Sequence, residues 1–347
     1  MIEKYYSGVI EQIYNRIGKE TRNIVMANYS NDFSIENLEV IRRYQSNEDN
    51  VFFAYSEFSY NTLIGAYEPF LDIICNMHRR FIGGSFDDFQ KECGVYYLHR
   101  QVLNSYYETG ECFREETVLL NEVAYERRRM TMAIADMLKR LSEVRPLMIV
   151  INRFQMASKS SIETIKYLID NPCASIGIVL GVNALVKGTD STVEVWDRIV
   201  ESLEDRSAIY YIGSAGSLKN NVKTTNDDEL YITMNFEQSI QEASNIMEFL
   251  DFEQAKRGCR IIEHKLKFED AWIDEKSLRR FYMVYARTSV LLGEMSKAIE
   301  LTNEYKALIP KNDSEHYLSL YYFMKGTCYM YQGKLENCLL YTSDAAD

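Results

Sequence analysis

Residues Met148–Ser161, MIVINRFQMASKSS, decide how this chain is read. With Leu147 ahead of them, the apolar residues up to Ile151 form a short run without polar interruption. Such a run is expected for a strand covered on both faces. A polar pair, Asn152-Arg153, follows, and a helix is expected to open near Lys159. Four further runs have the same character: Arg22–Ala27, Asn50–Ser56, Ile176–Val182 and Ala208–Gly213. Helical patterns separate them, the clearest being Glu116–Val144, with apolar residues recurring at Leu119, Leu120, Val123, Met130, Ile134, Met137, Leu138 and Leu141. Strand–helix alternation of this kind predicts a parallel, three-layer α/β domain.

From about Asn235 the strands cease and helices repeat. Small residues recur at a fixed internal spacing of twelve: Ala243 and Ala255, Ala286 and Ala298, Gly326 and position 338. Successive units start 43 and 40 residues apart (286−243; 326−286). Gly293 and Gly333 fall where two helices must turn, and Pro310 ends the second pair because it cannot continue a helix interior. This period and these positions resemble tetratricopeptide repeats in slightly lengthened form. The competing reading is an irregular helical bundle. Tyr282, Tyr285, Tyr321, Tyr322 and Tyr329 fall on the first helices of the units, as core or groove-lining residues.

The whole chain narrows the function classes. Its 347 residues suffice for about two domains. A formal net charge of −12 disfavours nucleic-acid binding by this chain itself, since phosphate neutralisation supplies most of that affinity. Seven scattered cysteines without a C-x-x-C pair, and four histidines, match neither a zinc pattern nor a disulfide framework. His78, His99, His264 and His316 have no Cys or Ser partner at motif spacing, which favours surface or structural roles. No apolar run approaches the roughly 18 residues that a membrane helix needs. The N-terminal stretch places Ile2, Tyr6, Ile10, Ile13 and Ile17 at helical spacing, as an amphipathic docking helix would. These features together predict a cytoplasmic protein.

An α/β domain followed by helical repeats resembles the signal-transduction ATPases with numerous domains, the STAND class, and within it the group that includes repeat-bearing bacterial transcription regulators. The resemblance is strongest over Arg145–Ile169. There the class shows Arg-Pro, an apolar strand, Asp-Asp, and a helix ending in Leu-Leu. Arg145, Pro146, Phe154, Ala157, Ser161 and Leu168 fit that pattern. Ala66–Ile74 resembles the aromatic-x-Pro-aromatic turn after the second strand, and Ile176–Asn183 takes the place of the nucleotide-sensing strand. The resemblance implies an AAA-like, P-loop-NTPase-like domain over residues 1–225, tetratricopeptide-like repeats over 235–337, and a tail over 338–347. The tail resembles translated sequencing adapter, so the natural chain is expected to continue beyond Asn337.

The motifs of such a site are degenerate here. Phosphate binding uses G-x-x-x-x-G-K-[ST]. At the corresponding place, Ala27 and Asp32 replace the glycines, Phe33 replaces the lysine, and Ser34 alone remains. An aspartate repels phosphate and a phenylalanine carries no charge. Asn152 offers no anionic support for Mg²⁺, Arg153 stays protonated and activates no water, and Asn183 stands where arginine is frequent. Without a ligand, Asn152 would cap the turn and Arg153 would be solvated or paired with an acid. GSAGS at Gly213–Ser217 reads as a turn, and polar Ser217–Leu230 leaves no room for lid or winged-helix domains. The expectation is a non-catalytic regulatory or scaffold protein without a cofactor, binding a protein or peptide partner through its repeats. The alternative is an ATP-binding switch with an unorthodox site, which would use ATP or ADP with Mg²⁺.

Overall fold

The computed structural model describes residues 2–29, 39–46, 50–59, 63–113, 122–183, 186–187, 193–212, 223–224, 235–268, 273–310 and 314–334. The chain divides into two compact units, Met1–Gly110 with Arg128–Tyr231, and Glu111–Arg127 with Ile232–Asp347. Among the described residues no helix is long and apolar enough to cross a membrane.

The first unit is built on five parallel strands: β1 (Ile24–Tyr29), β2 (Phe52–Glu57), β3 (Leu147–Asn152), β4 (Ile176–Asn183) and β5 (Ile209–Ile212). Their order across the sheet is β2-β3-β4-β1-β5. All five expected runs are strands, displaced by at most two residues. A separate short parallel ladder joins Val186–Lys187 to Lys223–Thr224. Of the three inner strands, β3 and β4 are buried at every position, as their unbroken apolar sequences require.

The helices of this unit are α1 (Ile2–Arg16), α2 (Glu39–Ser46), α3 (Phe70–Met77), α4 (Phe86–Glu92), α5 (Tyr97–Thr109), α6 (Val123–Val144, of which the residues from Arg128 onward belong to this unit), α7 (Lys159–Asp170) and α8 (Val193–Glu204). Helix α6 is described from Val123; residues 116–121 of the expected helix lie outside the described residues. Helix α1 buries Tyr6, Val9, Ile10 and Ile13. It docks on the sheet face that carries Gly177, where an added Cβ would meet Ile13 and Ile17 side chains at 2.9 Å. Glycine at that position is a packing requirement: it lets the helix approach the strand. Tyr210 of β5 donates to Gln12 of α1 at 3.4 Å on the same face. His78 and His99 are buried in this unit, whereas His264 and His316 of the other are exposed.

In the second unit the helices are α9 (Phe236–Glu248), α10 (Phe252–Phe268), α11 (Glu275–Leu291), α12 (Met295–Ala307) and α13 (Ser314–Tyr331). Helix α9 packs on α10 and α11, and α11 packs on α12 and α13. Ala243, Ala255, Ala286 and Ala298 are all buried where the helices meet, as is Gly326; position 338 lies outside the described residues. The ends of α9, α11 and α13 share one hydrogen-bond pattern. Leu250 N donates to Met247 O and Asp251 N to Ile246 O. Gly293 N and Glu294 N donate in the same way to Val290 O and Ser289 O, and Gly333 N and Lys334 N to Met330 O and Tyr329 O. Each is a left-handed helix stop that satisfies two terminal carbonyls. The central residues have φ of 66°, 78° and 73°, and they are spaced by the same 43 and 40 residues (293−250; 333−293) as the small residues.

Candidate functional site

In an open parallel sheet, ligands bind beyond the carboxyl ends of the strands, where neighbouring strands send their connections in opposite directions. Here β1 leads across the sheet to β2 at the far edge, whereas its neighbour β4 leads the opposite way to β5. Right-handed crossovers then put the two connections on opposite faces. The strand ends that converge there are Tyr29, Glu57, Asn152 and Asn183.

Register shows which side chains share a face. Ala27 pairs with Gly181, and Glu57 with Asn152. Ile151 pairs with Leu180, so Asn152 stands in the row of Gly181 and Ala27. Gly181 and Ala27 put almost no bulk on that row. Tyr29, two residues beyond Ala27 and therefore on the same face, lays its ring across the gap. Its hydroxyl donates to Asn152 Oδ1 at 2.6 Å, and both residues are buried. Tyr6 of α1 is buried beside them. Desolvation, followed by the neighbouring Tyr29, Tyr55 and Glu57, holds its hydroxyl pKa well above the ordinary tyrosine range.

Arg153 leaves β3 in the left-handed region, with φ 54°. This turns its guanidinium back toward β2, where Nη1 lies 3.1 Å from Glu57 Oε1 and donates to Phe58 O at 3.3 Å. Tyr55 donates to the other oxygen, Glu57 Oε2, at 2.5 Å. The pair is largely shielded, with about one-fifth of each side chain exposed. On the other side of Asn152, Asn183 N donates to Gln155 Oε1 at 3.2 Å, so the turn after β3 is tied to the end of β4. Phe154 in that turn is buried against Trp196 of α8, with ring centroids 5.7 Å apart.

The start of α7 is consumed by internal bonds as well. Ser158 caps it by accepting from Ser161 N at 3.4 Å. Ser161 Oγ donates to Glu68 O at 2.7 Å, and Ser160 Oγ accepts from Tyr67 N at 3.0 Å. Burial raises the Glu68 carboxyl pKa, against the opposing effect of a hydrogen bond from Gly65 N.

Of the positions singled out in the sequence, Asn152, Arg153 and Asn183 come together at the carboxyl edge. Ala27 lies inside β1, fully buried, and is part of the sheet rather than of the loop after it. Asp32, Phe33 and Ser34 lie outside the described residues, as do Gly213–Ser217. Sequence reasoning missed Tyr29, Glu57 and Gln155, the partners that engage the three. Nothing in a lone terminal tyrosine signals that its hydroxyl crosses a neighbouring strand. Among the described residues no group of three or more His, Cys, Asp or Glu is placed to hold a metal ion. No protein-family model matches the chain, and no curated protein matches it in sequence.

Proposed function

We propose that this chain is a non-catalytic regulatory or scaffold protein. Its α/β unit is a degenerate P-loop-like domain of the STAND type, retained for packing, and its helices α9–α13 are a tetratricopeptide-type array that binds a protein or peptide partner. The observation that carries the first part is the buried Tyr29–Asn152 hydrogen bond. A magnesium triphosphate needs a cation for its phosphates and carboxylate support for its metal. Asn152 is neutral and already accepts from Tyr29, and Arg153 is engaged by Glu57. These residues do not fit the metal-nucleotide group that the resemblance implies. The identical helix stops at Leu250, Gly293 and Gly333, in step with the small residues, support a repeat over an irregular bundle. A role in transcription regulation rests on family analogy alone.

The alternative, an ATP-binding switch, draws support from the strand order, which provides a switch-point crevice between β1 and β4. Calorimetric titration of the full chain with magnesium-ATP separates the two. The scaffold reading expects no saturable binding tighter than about 1 mM. Micromolar affinity that is lost in Arg153→Ala would overturn it.

A further inference from the structure

β1 and β5 are parallel neighbours, so their first residues lie side by side on the amino edge of the sheet, opposite the candidate site. Beside these strand starts the first unit holds an open cleft of about 170 Å³. Its walls come from the end of α1 and the turn after it, the start of β1, the end of α7, and the turn that leads from α8 into β5. All of these parts belong to the first unit.

Local structure brings three arginines to this cleft. Arg16 is the last residue of α1. Arg22 stands two residues ahead of β1, past a turn that Gly18 N ties to Ala174 O at 2.8 Å. Arg206 lies in the stop of α8, where Ser207 N donates to Glu204 O and Ala208 N to Leu203 O, with Ser207 at φ 52°. From there its guanidinium crosses to the end of α7 and donates to Ile169 O at 2.6 Å. That bond uses one of the five N–H donors of the group and offsets the partial negative charge of the helix end. Arg16 Nε lies 3.7 Å from Oε2 of the exposed Glu20, too far for a hydrogen bond.

Three arginines against the single carboxylate of Glu20 leave the lining with a net charge of +2, within a chain whose net charge is −12. Thr21 and Ser207 add hydroxyls, and Ile24, Val25, Leu168 and Pro172 supply an apolar wall. Guanidinium forks match the oxygens of phosphate and carboxylate. A phosphate monoester carries a charge of about −1.5 to −2 at pH 7 and balances this lining, whereas a monocarboxylate does not. The cleft is smaller than the roughly 300–1,000 Å³ of pockets that enclose drug-sized ligands, which favours a very small ligand over a nucleotide.

We propose that the cleft at the amino edge is a binding site for a phosphate dianion, free or as the ester of a small apolar group, held by Arg16, Arg22 and Arg206. It shares no residue with the carboxyl edge, so its occupancy is independent of any magnesium-ATP binding there.

Calorimetric titration of the full chain with inorganic phosphate, at constant ionic strength, should show saturable binding at about 1 mM or tighter. Arg16→Gln combined with Arg22→Gln should weaken it by about tenfold or more, the loss expected for one charge-assisted hydrogen bond. Arg153→Ala, at the opposite edge, should leave it unchanged. No saturation up to about 10 mM, or equal affinity in R16Q/R22Q, overturns the proposal and leaves the arginines as caps of helix ends. Binding that is lost in R153A and kept in R16Q/R22Q also overturns it. A second measurement needs no variant. A phosphate ester gains its second charge at about pH 6, whereas sulfate is a dianion throughout. Ethyl phosphate should therefore bind more tightly as pH rises from about 5.5 to 7.5 while sulfate does not, and a parallel course of the two overturns the proposal. Ethyl phosphate binding as tightly as inorganic phosphate supports an ester as the ligand, and weaker binding supports free phosphate.

Discussion

The carboxyl edge of the sheet and the turns of the helical array satisfy their polar groups by opposite means. At the sheet edge the bonds run between particular side chains: Tyr29 with Asn152, Arg153 and Tyr55 with Glu57. Each depends on residue identity, so a changed residue changes the chemistry. At the ends of α9, α11 and α13 the bonds run between backbone groups, and one pattern serves three sequences. Leu250 makes the point. It occupies the left-handed position that glycine holds at 293 and 333. That conformation costs a non-glycine residue roughly 1–2 kcal/mol. Leu250 is also buried, and burying a leucine contributes about 1.5–3 kcal/mol. Backbone-encoded geometry therefore tolerates a sequence exception when packing offsets the strain. Side-chain-encoded geometry has no such latitude.

Four measurements sharpen or break this contrast. The largest effect belongs to Leu250→Ala, which keeps the strained conformation and loses the burial; its cost should be about 2–5 kcal/mol by denaturant unfolding. A loss below about 1 kcal/mol would mean that burial does not hold Leu250 in place. Tyr29→Phe removes the donor to Asn152 inside the sheet unit and should cost about 1–3 kcal/mol. If the change proves neutral, the sheet edge is not held by that bond. Gly293→Ala meets no atom within 4 Å of its new Cβ, so only backbone strain remains. The expected loss is about 1–2 kcal/mol, smaller than that of L250A.

The smallest effect is a pH slope. Burial among Phe86, Phe89 and Tyr107, followed by nearby Arg79, lowers the His78 pKa from its ordinary 6.5. The folded state then disfavours the imidazolium. The associated stability is fully present above pH 6.5 and is lost as pH falls from there through the lowered pKa. His78→Phe should flatten that part of the stability–pH curve, and an unchanged slope would assign it to other groups.

Much of this was legible in the residues themselves. The five apolar runs became five parallel strands because a strand buried on both faces admits no polar interruption. Ile13 and Ile17 announced a docking helix by their spacing, although only the structure shows that Gly177 receives them. The polar pair Asn152-Arg153 at the end of the third run was visible at once. That Arg153 would turn back to Glu57 was not: the two are distant in sequence, and the left-handed turn at Arg153 carries no glycine or asparagine to announce it.

Local pattern, then, was enough to specify strands, helices and the turns at Gly293 and Gly333, though not the one at Leu250, because periodicity and small-residue spacing act between near neighbours along the chain. The partners of Tyr29 and Arg153 were decided by tertiary structure alone. A hydrogen bond depends on distances of a fraction of an ångström between groups as far as 123 residues apart, and strand order and register, rather than composition, set those distances.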